Sequence, residues 1–284
     1  MQTRVWTLLF TAIPGIAFTL TSCSSGPSGP QAGTPEWYWQ AANEAYTLGD
    51  IEKAQEHLAE VASSDSENMQ QAVLWRAMLT AGLARGYMEL GNTLAEAVED
   101  DESLAGGFIV RIQDYRRSAR RHAISFTESM GTLRKVAEQQ PAVSLQFPFP
   151  SGTANEAPAL ISLRAGEKIP PQQIDAAVGY TLQRGLLFQA AEMAGADEDV
   201  AKAQGTFTSG SVEVPRLIFL QSLGKSLFDV SALFTNRQLN EPNIRKVMLD
   251  SALQCLQPSL ESEDKEAQQQ AEQIKKSIEK EAKS

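Results

Sequence analysis

The chain has little with which to hold a metal or run redox chemistry. It contains two cysteines and two histidines in 284 residues, and His57 and His122 lie far apart with no cysteine beside either. Neither H-E-x-x-H nor C-x-x-C occurs, so the spacings that build structural or catalytic zinc sites are missing. The acidic run Glu99-Asp100-Asp101-Glu102 lacks the alternating spacing of a calcium loop. It reads instead as a cap and solvated start for the helix that follows, where negative charge meets the positive end of the helix dipole. Basic charge is scarce as well: 25 Lys and Arg face 35 Asp and Glu, for a net charge of -10. That argues against a nucleic-acid partner and against broad attraction to anionic lipid surfaces. Beyond residue 20, no apolar stretch is expected to reach membrane-spanning length.

The first residues are different. Arg4 gives a positive start, and residues 5–20 form an apolar run broken by Pro14-Gly15 and a few threonines. The run is short for a bilayer span and has the layout of a secretory signal. Its end, Leu20-Thr21-Ser22-Cys23, resembles a bacterial lipobox. The resemblance implies cleavage before Cys23 and acylation of its sulfur and new amino terminus, and several acyl chains on one residue anchor firmly. Ser24 and Ser25 follow with no Asp beside the cysteine, which by the same resemblance implies the outer membrane, with the body facing the periplasm. Residues 1–22 are therefore expected to be a lipoprotein signal peptide and 23–35, rich in Gly, Ser and Pro, a flexible stalk. With Cys23 acylated, Cys255 has no disulfide partner, and it shares an apolar helical face with Ile244, Met248 and Ala252.

From residue 36 onward the period is helical. Trp37, Ala41, Ala45 and Leu48 form one stripe, and Tyr38, Ala42 and Tyr46 its neighbour. Gly49-Asp50 ends that helix and caps the next, whose stripe is Ile51, Ala54, Leu58 and Val61. Tyr38, Ala41, Ala42, Tyr46, Gly49-Asp50, Ala54 and Leu58 resemble one tetratricopeptide repeat. A second copy runs through Leu83, Ala84, Tyr87 and Gly91 to Ala95 or Ala97, and a third echo through Leu187, Ala191 and Gly195 to Ala201. The resemblance implies an all-α solenoid of tetratricopeptide-like helical hairpins over 36–140, with divergent helices after it. It also implies a concave surface that receives peptides or partner proteins and carries out no covalent chemistry.

A longer helix is expected at about 104–138, because Phe108, Ile112, Tyr115, Ala119, Ala123, Phe126, Met130, Leu133 and Ala137 recur at steps of three and four. Residues 141–171 are expected to be a Pro-rich, non-helical strap, since each proline in Phe147-Pro148-Phe149-Pro150 biases its predecessor toward extended geometry. Packing of Phe147 and Phe149 against the helices is the favoured reading of that strap. Residues 172–258 read as helical hairpins on the same body, with Asn240 capping the last helix and Pro258 closing it. Residues 259–284 read as a charged tail, a solvated, fraying helix with Glu261/Lys265, Glu272/Lys276 and Glu279/Lys283 at i,i+4, with a coiled-coil contact as the minor alternative.

Two short motifs imitate catalytic ones. Ser222-Leu223-Gly224-Lys225 matches S-x-x-K but lacks its companion motifs, and Gly224-Lys225-Ser226 imitates the end of a phosphate loop with Phe219 where the first glycine belongs. No nucleophile, base and orienting group can be assembled, so no enzyme, cofactor or metal is expected. The concentration of Arg116, Arg117, Arg120, Arg121 and His122 in an acidic protein has two readings: pairing with neighbouring acidic helices, or docking of an acidic partner. The expected function is a lipid-anchored, non-catalytic scaffold for an envelope protein or peptide, touching the membrane through Cys23. The alternative is a carrier of a small molecule or lipid in a cavity near Phe147–Pro150.

Overall fold

One helix organises the body. The computed structural model describes residues 29–207 and 210–282. The signal peptide 1–22 and Cys23 lie outside the described residues. Helix α1 (Pro35–Thr47) begins where the Thr34 hydroxyl accepts the Trp37 N–H, and it ends at Gly49, whose φ of 80° suits a residue without a side chain. The Asp50 carboxylate then accepts the Lys53 N–H at 3.1 Å and starts α2 (Ile51–Ala62). The central helix is α3 (Met69–Asp100), which is buried on more than one face, with Ala72, Trp75, Leu79 and Leu83 and also Val73, Ala77 and Ala84 all buried. Trp75 is fully buried in it and meets the rings of Trp39 and Tyr46 edge-on at 5.7 and 5.3 Å.

The second repeat-like pattern does not form a hairpin. Helix α3 runs unbroken through Gly91 for 32 residues. Gly91 is not a turn residue: a methyl group there would meet the Arg116 side chain at 3.4 Å, so its small size serves packing. Asp101 caps a short 3-10 turn (Glu102–Leu104) by accepting the Ser103 N–H, and α4 (Ala105–Glu138) follows over 34 residues. Helices α3 and α4 thus form a hairpin far longer than a repeat of about 34 residues can hold.

The strap is partly helical, which overturns the expectation for 141–171. Its first residues form β1 (Ala142–Leu145) and its later ones α5 (Pro158–Arg164). Between them Phe147 and Phe149 both pack on Phe207, with ring centroids 5.3 and 5.0 Å away. Helix α6 (Pro171–Met193) lies against α3, and the short α7 (Val200–Thr206) follows the turn at Gly195. Strand β2 (Val212–Pro215) pairs antiparallel with β1, from Ala142 opposite Pro215 to Leu145 opposite Val212.

Helix α8 (Arg216–Ser231), with the 3-10 turn Ala232–Phe234, is long and apolar enough to cross a membrane, contrary to the expectation that no such stretch follows residue 20. In the body it is a core helix, with Phe219, Leu223, Leu227 and Phe234 buried. Asn240 does not cap the next helix. Its φ is 53°, and Glu241 occupies the cap position without a side-chain bond. Nor does Pro258 close that helix: α9 (Pro242–Leu260) runs two residues past it, because a proline in a last turn forfeits only one hydrogen bond. The charged tail is helical as expected, but packed rather than solvated. It forms α10 (Lys265–Glu281), capped by Asp264, with Ala267, Ala271 and Ile278 buried against the body. The Gln221 side chain anchors its start by donating to the Ala267 carbonyl at 2.7 Å. The fold is all-α: ten α-helices and one two-stranded sheet among the described residues.

Candidate functional site

The arginine cluster is dispersed by its neighbours. Arg120 Nε donates to both carboxylate oxygens of Glu241, at 2.9 and 3.1 Å, and Arg121 Nη2 donates to Glu52 at 2.8 Å. Arg116 lies half-buried beside Gly91, and that burial holds its guanidinium below the usual arginine range. Arg117 points outward, 76% exposed, and reaches Asp114 one turn earlier at 3.2 Å. Arg120 and Arg121 thus reach carboxylates on other elements, Arg117 reaches one on its own helix, and Arg116 is half-buried.

An open groove lies beside them. Helices α2 and α4 both pack along α3, which floors the space between them, and the Arg121–Glu52 pair bridges the two. Two hollows, of about 270 and 210 Å3, share Ala59, Arg76 and Ser125 and so make one trough. The first is walled by Glu52, Gln55 and His122, the second by Ser63, Ser129 and Thr132. Arg76 rises from an otherwise apolar stretch of α3, and its Nη2 donates to Ser125 Oγ at 3.4 Å. The groove is mixed in character: Ala59, Ala62 and Val73 lie beside the polar groups, and Glu52, Glu56, Arg76, Arg121 and Glu128 carry charge.

His122 is the least ordinary residue there. It is 4% exposed, and its ring stacks flat on Tyr87 at 5.8 Å and 2°. Burial, with the Arg121 charge adding to it, pushes its pKa down from 6.5 to about 4, so the ring is neutral at physiological pH. Among the described residues its Nε2 and the Nε2 of Gln55 have no hydrogen-bond partner. The depressed pKa has a stability consequence. Between pH 6.5 and about 4 the unfolded chain binds the proton and the folded one does not, so this residue loses about 3 kcal/mol of stability by pH 4. Glu89, Glu192 and Asp229, whose pKa values burial raises, act in the opposite direction on acidification. A comparison of wild type with His122→Phe by urea unfolding at pH 7.5 and pH 4 cancels those contributions. The stability gap between them should shift by about 3 kcal/mol in favour of the variant.

A second concavity opens at the α1–α2 turn. A cleft of about 540 Å3 lies between Tyr46, Ile51, Leu83, Tyr87, Leu182 and Leu186, and Pro150-Ser151 of the strap forms one lip. Gln183 Nε2 latches that lip by donating to Ser151 Oγ at 3.1 Å.

The remaining chemistry-bearing groups are held by the fold. Ser222 Oγ donates to the Ile218 carbonyl at 3.0 Å, and Lys225 Nζ is 2.5 Å from Glu192, so the S-x-x-K pair does not converge. Cys255 is fully buried, and burial pushes its thiol up to about 11, which suits a small core residue. No cluster of His, Cys, Asp and Glu with metal-binding geometry occurs among the described residues. The groove escaped the sequence reading because its residues come from three helices. Its available signal was Arg76 and Thr80 inside the apolar run of α3, and Ser125, Ser129 and Thr132 along one side of α4. No family model, curated protein or solved structure matches the chain.

Proposed function

We propose that this protein is a non-catalytic scaffold lipoprotein, held to the bacterial outer membrane by acylated Cys23, whose helical body receives an envelope protein in the α2/α4 groove. The open trough over Arg76 supports this reading, because Arg76 on its floor and Ser63, Ser129 and Thr132 on its walls line a concavity between two helices. The arginine cluster is a weaker docking surface, since Arg120 and Arg121 already pair with Glu241 and Glu52. The tetratricopeptide-like reading rests on the α1/α2 hairpin with its Gly49-Asp50 turn.

The test is site-specific photocrosslinking of the full chain in its native membranes. A crosslinker at Ser129, in the groove, should capture one envelope partner, whereas one at Lys246, an exposed position on α9, should not. Cys23→Ala should move the protein into the soluble fraction and abolish the adduct. Equal adducts from both positions, or no change in fractionation, would remove the groove or the anchor from the proposal.

The carrier reading has one observation in its favour, the apolar floor of the cleft beside Pro150. A volume of about 540 Å3 lies within the range of small-molecule sites. A ligand retained in native mass spectrometry and lost on Leu186→Arg would support it.

A further inference from the structure

We infer that the cleft beside Pro150 binds a compact apolar molecule that is uncharged or cationic, and that it turns anions away. This rests on the carrier reading of that cleft, and it specifies the charge its cargo carries.

The lining comes first. Tyr46 and Ile51 flank the α1–α2 turn, Leu83 and Tyr87 come from α3, and Leu182 and Leu186 from α6. Together they enclose about 540 Å3. Apolar walls of this extent with a few polar groups at the edge are the usual form of a small-molecule site.

Gly179 is an independent observation. It lies well inside α6, where glycine is less stable than alanine. Gly185 on the same helix is explained by the α3 backbone against it, but a Cβ on Gly179 would meet nothing within 4 Å. Close packing therefore gives no reason for the residue. Gly179, Leu182, Gln183 and Leu186 recur at helical spacing and all line the cleft, so they share the face of α6 that borders it. Any larger residue at 179 would extend over that opening. The missing side chain keeps the cleft accessible at a cost to the helix.

Charge then selects among apolar molecules. No lining residue is Lys, Arg or His, whereas Asp50 and Glu52 both belong to the lining. Arg121 holds one oxygen of Glu52. Asp50 accepts the Lys53 N–H as the cap of α2 and enters no ion pair among the described residues. A cleft with apolar walls and charge of one sign gathers counter-ions and repels its own sign. A fatty-acid carboxylate or a phosphate would meet Asp50 with no cation in the lining to receive it.

The experiment uses the full chain in phosphatidylcholine vesicles and three photoreactive probes. All share a naphthyl diazirine body, and they end in an ammonium, a hydroxyl or a carboxylate. Mass-spectrometric mapping should place the ammonium and hydroxyl adducts on cleft residues such as Ile51 and Leu83. The carboxylate probe should label them at least about tenfold less. Gly179→Leu should reduce cleft labelling to background with the fold intact, and Gly179→Ala should keep the labelling and raise the melting temperature. The double variant Asp50→Asn/Glu52→Gln should erase most of the difference between carboxylate and ammonium, since asparagine caps a helix about as well as aspartate. No adduct in the cleft, or labelling that survives Gly179→Leu, would overturn the inference and the carrier reading with it. Equal cleft labelling by all three probes would overturn the inference alone and leave the carrier reading standing.

Discussion

Gly185→Ala should lower the melting temperature by about 10 °C, and Gly185→Val should leave no folded protein. The reason is the crossing of α3 and α6, where the two backbones touch. A Cβ on Gly185 would lie 2.3 Å from the Gly82 carbonyl oxygen and 2.8 Å from the Gly86 nitrogen. Both are main-chain atoms in the middle of a 32-residue helix, so neither can step aside as a side chain would. The helices must separate, which opens the packing around Leu83 and Leu186. Overpacking of this kind costs about 3 kcal/mol for one methyl group and more for an isopropyl group. For a body of this size, about 3 kcal/mol corresponds to roughly 10 °C. Gly131→Ala is the matched control, because Gly131 is exposed on α4 with nothing within 4 Å of its Cβ position. That substitution removes backbone entropy from the unfolded chain without a clash, and should raise stability by up to about 1 kcal/mol. Equal melting temperatures for Gly185→Ala and wild type would mean that the α3–α6 crossing is looser than these distances require.

Local signals carried most of the fold, and non-local ones were invisible. The three-and-four spacing from Phe108 to Ala137 placed α4 almost to the residue. Gly49-Asp50 placed the α1–α2 turn for the same reason: a left-handed glycine and an N-cap are properties of two adjacent residues. Gly91 misled because a glycine in a repeat-like pattern suggests a turn, while its actual partner, Arg116, lies on another helix. The pair Gly82 and Gly86, one turn apart on a buried helix, was the sequence trace of close helix contact. Only α6 reveals that Gly185 is its counterpart. In the tail, the charges concealed Ala267, Ala271, Ile274 and Ile278, whose steps of four, three and four mark an apolar stripe. Strands β1 and β2 could not be read together, since 66 residues lie between the end of one and the start of the other and no hairpin turn joins them.

The candidate site was less legible. Charge alone singled out Arg116 to Arg121, yet what an arginine does depends on where its carboxylate lies. Glu52 is 69 residues and Glu241 121 residues away in sequence, so no local spacing could reveal the pairs. His122 reads in the sequence as one member of that basic cluster, but the arginines give no sign that it is buried and neutral. Its burial and its stacking on Tyr87 arise from the α3–α4 hairpin, and its neutrality follows from them.

Lys225→Met should cost about 3 kcal/mol at pH 7.5, and much of that deficit should vanish near pH 5. Glu192 is 2% exposed, and Lys225 is the ammonium that meets its carboxylate, at 2.5 Å. Methionine keeps the stem volume and removes the charge, which leaves a carboxylate in a low-dielectric interior. Burial already raises the Glu192 pKa even with Lys225 present, and losing the cation raises it further. A carboxyl whose folded pKa exceeds its unfolded value takes up a proton preferentially in the folded state as the pH falls. Acidification therefore stabilises the variant relative to wild type. Asp229 changes in the same sense, since burial raises its pKa too and it loses a cation 3.7 Å away while keeping Arg85 at 3.5 Å. Arg85 also holds Glu198 at 2.7 Å, so it cannot swing across to replace the lost ammonium without breaking that pair. The double variant Lys225→Met/Glu192→Met should recover most of the stability at pH 7.5, because no buried charge at position 192 then lacks its counterion. Urea unfolding of wild type and both variants at pH 7.5 and pH 5 measures all of this. A deficit that stayed constant with pH and persisted in the double variant would assign the cost to packing around α6 and α8 rather than to the uncompensated carboxylate.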